Sequence, residues 1–166
     1  MILRVATADR LLHIGAEAVP CMIGRNGACP AGEKQEGDGR TPLGRWPLRG
    51  ALLRRDHMPA PRLALPWRWI DPSDGWSDDP SDPAYNRPVS HPHRFSAERL
   101  WREDGAYDVI VPLGYNDGPP TPGAGSAIFL HCTDFGRPTE GCVAIARDAL
   151  LALLPRFGAA DAIEIG

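Results

Sequence analysis

Lysine is nearly missing from this sequence. Lys34 is the single one, and 18 basic side chains face 21 acidic ones, for a net charge of −3 at pH 7. A protein that tracks a phosphate backbone carries a basic excess, so nucleic acid is excluded as the main partner. No apolar run approaches the ~18 residues of a membrane span. Met1–Arg10 is no secretory signal, because Arg4, Asp9 and Arg10 interrupt any apolar stretch. The expectation is a cytoplasmic protein, or a periplasmic one if a signal has been trimmed. Cysteine is sparse: Cys21, Cys29, Cys132 and Cys142. None of their spacings makes a zinc knuckle, and His91 and His93 flank a proline with no carboxylate to complete a set. Neither a metal nor an organic cofactor is expected. No internal repeat is visible.

Glycine and proline are abundant, at 18 residues each. Such a chain favours short strands and defined turns over long helices. With 43% hydrophobic and 23% charged residues, 166 residues suit one globular domain, 1–166. Alternating residues predict strands over 2–6, 11–15 and 18–24. Residues 24–44 read as a long Gly-rich surface loop. Strand character returns over 43–53, interrupted at Pro47. Proline recurs from 58 to 92, yet Trp67, Trp69 and Trp76 mark that stretch as irregular chain packed on the domain, with the tryptophans as anchors. Ser96 heads a predicted short helix over 96–103. Strands follow at 107–113, 125–131 and 142–145, a helix at 147–154, and a strand at 162–165. The fold class is therefore mainly β, with two short helices.

Chemistry concentrates in residues 128–145. His131 ends an apolar strand, and Cys142 stands eleven residues later at the start of the next. A strand–loop–strand connection of that length brings imidazole and thiol together, as a cysteine nucleophile requires. Gly141 removes bulk beside the cysteine, and the Gly141 and Cys142 N–H groups can face an oxyanion. The competing reading is an inert buried cysteine beside a structural histidine.

This stretch resembles the YkuD-type L,D-transpeptidase family, whose hallmark is a histidine, a loop with a Gly-rich turn, and then Ser/Thr-His-Gly-Cys before a β-branched residue. His131, Gly136, Thr139, Gly141, Cys142 and Val143 match in order. Gly37-Asp-Gly-Arg-Thr-Pro-Leu-Gly44 is similar to a segment that precedes a core strand in that family. Asp74-Gly-Trp76, Tyr85-Asn-Arg-Pro-Val89, Leu113-Gly-Tyr-Asn-Asp117 and Gly125-Ser-Ala-Ile-Phe129 look like a compact subgroup. Three positions depart: Glu140 replaces the usual histidine, Ala144 a frequent arginine, and Cys132 a Gly or Ser whose carbonyl orients the imidazole. Glu140 beside Cys142 disfavours a thiolate unless it points away.

The resemblance implies a β-sandwich or open-barrel catalytic domain that acts on peptidoglycan stems without a cofactor. Cys142 is the nucleophile, His131 the base, and Gly141 with Cys142 the oxyanion donors. The bond attacked joins the third stem residue, often meso-diaminopimelate, to terminal D-alanine. Candidate substrate contacts are Arg137 for a carboxylate, Arg87, Thr139, Tyr115, and Asp117 for the diaminopimelate ammonium. Arg137 is equally a solvated loop arginine, and Asn116-Asp-Gly-Pro-Pro is turn chemistry in its own right. Lack of a signal, a bare domain and the motif departures favour a cytoplasmic L,D-carboxypeptidase that trims free murein tetrapeptide. A periplasmic transpeptidase working on muropeptides is the alternative, and an inactive stem-binding module is a third reading. A carbapenem is expected to acylate Cys142.

Overall fold

The computed structural model describes all of residues 1–166. Fourteen strands and one α-helix follow in order: β1 (Ile2–Ala6), β2 (Leu11–Ile14), β3 (Glu17–Met22), β4 (Ala28–Pro30), β5 (Thr41–Pro47), β6 (Ala51–Leu53), β7 (Trp67–Trp69), β8 (Asp74–Ser77), β9 (Pro88–Ser90), β10 (Ala97–Arg99), β11 (Val109–Pro112), β12 (Phe129–Thr133), β13 (Val143–Ala146), α1 (Arg147–Leu153) and β14 (Ala162–Ile165). Eleven strands form one sheet in the order β4-β5-β14-β1-β2-β3-β13-β12-β11-β6-β7, and β10-β8-β9 form a small second sheet.

The large sheet bends back on itself. β5 lies near one end of the strand order and β6 near the other, yet only Leu48–Gly50 separate them. A bridge between Leu48 and Leu113 ties the two ends together. Inward residues of both halves, among them Leu3, Val5, Leu12, Val111, Leu130, Val143 and Ile145, join α1 residues Leu150 and Leu153 in one core. The alternation in β1 shows why: Leu3 and Val5 are buried while Arg4 is exposed. The layers of this mainly β domain thus come from one curved sheet. β12 is buried along Phe129–Cys132 because it lies between β11 and β13.

Several expectations need correction. Residues 96–103 are not a helix. Ala97–Arg99 pair antiparallel with β8, and Ser96 accepts a backbone bond from Asp78 at 3.3 Å. A partner strand overrides the weak helical preference of a short polar run. The regular α-helix content is α1 alone, followed by a 3-10 turn over Leu154–Arg156. The 24–44 loop is not all surface: it contains β4, and Lys34 is buried. Residues 58–92 supply β7, β8 and β9, anchored by Trp67 edge-on to Trp69 and Trp76 edge-on to Phe129.

Candidate active site

β12 and β13 run parallel, with Leu130 opposite Val143 and His131 opposite Ala144. Residues 134–142 must therefore carry the chain back to the start of β12. That return places Cys142 beside Phe129, on the same side of the sheet as His131. The Phe129 N–H donates to Cys142 Sγ at 3.3 Å, and the thiol donates to the Ala127 carbonyl at 3.1 Å. His131 Nδ1 donates to the Cys132 carbonyl at 2.8 Å. That bond fixes the tautomer and leaves Nε2 as the acceptor. The orienting carbonyl survives the replacement by cysteine at position 132, because it belongs to the backbone.

Burial disfavours the charged form of both groups. Burial pushes the Cys142 thiol up to about 12, with the charge of Glu98 adding to it. Burial pushes the His131 imidazole down to about 4. In so dry a setting each charged form loses its hydration, so thiol and imidazole persist at neutral pH. Cys142 and His131 line one cleft of about 870 Å³.

The turn that presents Cys142 is built by Thr139 and Gly141. Thr139 Oγ1 donates to the Cys142 carbonyl at 2.6 Å and accepts the Gly141 N–H at 3.2 Å. Thr139 lines the cleft, but its hydroxyl is consumed inside this turn, so it positions Cys142 and has no free hydrogen bond to offer the cleft. The Gly141 N–H is likewise engaged, while the Cys142 N–H donates to no group of the protein. Of the two expected oxyanion donors, Cys142 is the one in reserve. Thr139→Val should cost about 2 kcal/mol, because it strands a buried donor and acceptor, and should slow acylation of Cys142. Thr139→Ser should restore both, as read by urea unfolding and thiol acylation rates.

Upstream, Asn86 is a support that sequence reasoning passed over. Its amide oxygen accepts from Trp76 Nε1 at 2.8 Å and from Ala127 N at 3.1 Å, while its nitrogen donates to the Tyr115 and Asn116 carbonyls. Ala127 has φ of 52°, a conformation side chains seldom adopt. Asn86 holds it there, with its carbonyl on the thiol. The Tyr85-Asn-Arg-Pro motif was the available signal.

The other candidates divide. Arg137 lines the cleft, exposed, and its guanidinium makes no ion pair or hydrogen bond. Tyr115, Asp117 and Arg87 lie outside the cleft. Tyr115 is buried edge-on to Trp46 and donates to the Ala124 carbonyl at 2.6 Å. Asp117 takes a two-point bond from Arg49, at 2.6 and 3.2 Å. Arg87 donates to the Asn86 and Asp117 carbonyls. These three close the turn after β11, whose chemistry imitates a site in the sequence. Glu140 turns its carboxylate onto Arg25. The carboxylate that bears on Cys142 is instead Glu98, which accepts the Tyr107 hydroxyl. Tyr107 packs edge-on to the His131 ring, with centroids 5.2 Å apart. His93 pairs with Asp82 and His91 packs against Gly75, both away from the cleft.

Residues 3–165 match the profile of YkuD, the L,D-transpeptidase catalytic domain. Among solved structures the chain is similar to L,D-transpeptidase 3 from Mycobacterium tuberculosis, at 10% identity over 99% of this chain and 60% of that one, with a TM-score of 0.48. L,D-transpeptidase 1 from the same organism shares 9% identity over 99% and 57%, with a TM-score of 0.46. The L,D-transpeptidase of Xylanimonas cellulosilytica shares 12% over 99% and 59%, at 0.45. This chain spans less than two-thirds of each of those chains. No curated protein matches the sequence.

Proposed function

The chain belongs to the YkuD family of L,D-transpeptidase catalytic domains, and we propose that it is an L,D-carboxypeptidase that converts murein tetrapeptide to tripeptide. The observation that carries the reading is the Cys142 thiol and the oriented His131 ring in one cleft. His131 Nε2 takes the thiol proton as Sγ attacks the carbonyl of the third stem residue. The Cys142 N–H bonds the oxyanion. His131 then protonates the leaving D-alanine amine, and a thioester remains. Water, deprotonated by His131, cleaves the thioester and frees the tripeptide. Arg137 is the group suited to the terminal carboxylate, through a two-point guanidinium contact.

Water is favoured over an amine acceptor by the motif departures at Glu140, Ala144 and Cys132. The second reading is transfer to an amine, as in 3→3 cross-linking or stem attachment.

Purified protein is incubated with free murein tetrapeptide, alone and with acceptor stems, and the products are read by mass spectrometry beside Cys142→Ala. Tripeptide plus D-alanine, lost in the variant, is expected. A new amide in the presence of acceptor would make it a transferase. Silence in both would leave a binding module. The relative from Mycobacterium tuberculosis, L,D-transpeptidase 3, was solved in complex with a faropenem-derived adduct. A carbapenem should likewise add its mass to Cys142, and an unmodified protein would count against an accessible nucleophile. The proposed reading includes action in the cytoplasm, and recovery of the native protein from a periplasmic fraction would overturn that part.

A further inference from the structure

One wall of the cleft gathers three carboxyl groups that form no salt bridge, with Arg102 the nearest basic group acting on Glu98. Glu140 is paired with Arg25, Asp104 with Arg102, and Asp108 with Arg147. Lys34, the cleft's lysine, is held by Asp38 at 2.7 Å. Glu36, Asp78 and Glu98 have no such partner. Glu36 and Glu98 accept only tyrosine hydroxyls, from Tyr85 and Tyr107, and Asp78 Oδ1 is buried with no hydrogen-bond partner.

The small sheet brings these groups together. Glu98 on β10 lies opposite Trp76 on β8, and Asp78 follows two residues after Trp76. Alternation puts Trp76, Asp78 and Glu98 on one face of that sheet. Trp76 rests edge-on against Phe129, with centroids 5.1 Å apart, so the face looks onto β12 and the thiol. Glu36 reaches the same wall from the loop after β4, anchored by the Tyr85 hydroxyl, which also accepts the Gly125 N–H at 3.0 Å. Burial raises the Glu98 carboxyl, against the Tyr107 hydroxyl and the Arg102 charge that lower it, and the charges of Asp78 and Glu36 add to the rise.

An independent feature points to a ligand. Ser126, between Gly125 and the thiol's acceptor Ala127, is 8% exposed and lines this cleft, and its hydroxyl faces the Tyr85 hydroxyl without closing a hydrogen bond of good geometry to any group. A buried hydroxyl left without a bond costs free energy unless a ligand supplies one.

We propose that Glu36, Asp78 and Glu98, with the Ser126 hydroxyl, form a subsite for a primary ammonium group on the substrate. The proposal rests on the reading of the cleft as a stem-peptide site. It moves ammonium recognition from Asp117 to the wall beside Cys142. A metal ion is the poorer fit, because no three acidic, histidine or cysteine side chains converge closely enough to ligate one. A chain-end ammonium suits spread carboxylates, since its three N–H groups diverge. The ammonium belongs to the third stem residue's side chain, where it also fixes the register of the scissile carbonyl at Sγ.

The test compares two tetrapeptides, Ala-γ-D-Glu-Xaa-D-Ala, with lysine or norleucine as Xaa. They differ by one ammonium. Affinities are measured by calorimetry at pH 7 on the full chain carrying Cys142→Ala, with and without Asp78→Asn or Glu36→Gln. Circular dichroism confirms that each variant is folded. Lysine peptide should bind at least about tenfold tighter than norleucine peptide, as a charge-assisted bond predicts. Asp78→Asn and Glu36→Gln should shrink that ratio without weakening norleucine binding. Equal affinities, or a ratio that survives both substitutions, would overturn the subsite. Nα-acetyl-lysine amide tests a free amine at the same wall: its Asp78-dependent binding without donor discrimination would assign the ammonium to the acceptor and overturn the donor assignment. D-alanine release by the native enzyme is followed in parallel. Release with no lysine preference sinks the subsite and leaves the reaction standing. Lysine preference without release does the reverse.

Discussion

Gly141→Ala should slow acylation of Cys142 by about a hundredfold, the scale of a misplacement near 1 Å at a reacting atom. Gly141 has φ of 141°, a region almost closed to residues with a Cβ. An added Cβ would also lie 2.9 Å from the Arg40 carbonyl oxygen and 3.3 Å from Ile128 Cδ1. The Ile128 methyl can rotate. The Arg40 carbonyl cannot, because Arg40 is tethered through its N–H to Asp38 at 2.9 Å, and the next residue, Thr41, donates to the Gly27 carbonyl at 2.9 Å. Relief must come from the turn over 139–142, which moves Cys142 off the Phe129 N–H and the Ala127 carbonyl. Strain of this kind costs about 1–3 kcal/mol, so a lower melting temperature should accompany the slower reaction. Carbapenem adduct formation followed by intact mass, beside a thermal melt, reads both. Acylation within threefold of the native rate would show that the turn tolerates a side chain.

The same turn shows how far the sequence could be read. A histidine ending an apolar strand and a Gly-Cys opening the next are local features, and the parallel pairing of β12 with β13 puts both on one side of the sheet and in one cleft, where the thiol bonds to Ala127 rather than to the imidazole. The strands β1 and β2 were legible for a similar reason, since one face is buried and the alternation is plain, whereas β3 buries Cys21 alone. Arg137 is a loop residue close in sequence to the cysteine, and it does line the cleft. The reading failed where meaning depends on distant chain. Residues 96–103 carry a polar, helix-compatible pattern, and only the ladder with β8 makes them a strand. Tyr115 and Asp117 sit in a segment whose turn chemistry and candidate site chemistry use the same residue types. The Glu36, Asp78 and Glu98 wall draws on three separated segments, so no spacing could expose it. Lys34 falls in the polar, Gly-rich stretch that predicts a surface loop, yet its side chain packs under Gly125, where an added Cβ would meet Lys34 Cγ at 3.0 Å. Glycine at 125 makes room for the only lysine, which is then fixed by Asp38, whose carboxyl is lowered to about 2 although its burial works in the opposite direction.

Acidification from pH 7 to pH 4 should remove about 3 kcal/mol of stability through His131 alone, by proton linkage over its pKa difference. The ring is almost fully enclosed, and burial lowers it from 6.5 to about 4. The unfolded chain takes up the proton as pH falls below the ordinary histidine value, whereas the folded protein resists until about pH 4. Within that window the unfolded state binds more protons, so stability falls with pH; above it the effect vanishes. Asp38 also loses stability in acid, but its folded value near 2 and unfolded value near 4 put most of that loss below this window. Urea unfolding at pH 7.5, 5.5 and 4, with His131→Gln as reference, isolates the histidine contribution. The same resting state would set the pH profile of the proposed reaction. With the imidazole at about 4 and the thiol at about 12, the acylation rate should rise through pH 4 as His131 becomes a free base and then stay level across neutrality. Alkylation of the thiol by iodoacetamide should be slow at pH 7 and climb in strong alkali, since it depends on the thiolate. A thiolate–imidazolium pair would reverse each sign: fast alkylation at neutral pH, a histidine raised above 6.5, and no acid loss between 6.5 and 4. In the proposed reaction, the carbonyl behind Nδ1 and the dry wall around Sγ favour proton transfer during attack, because burial first and the charge of Glu98 second hold the thiol in its protonated form.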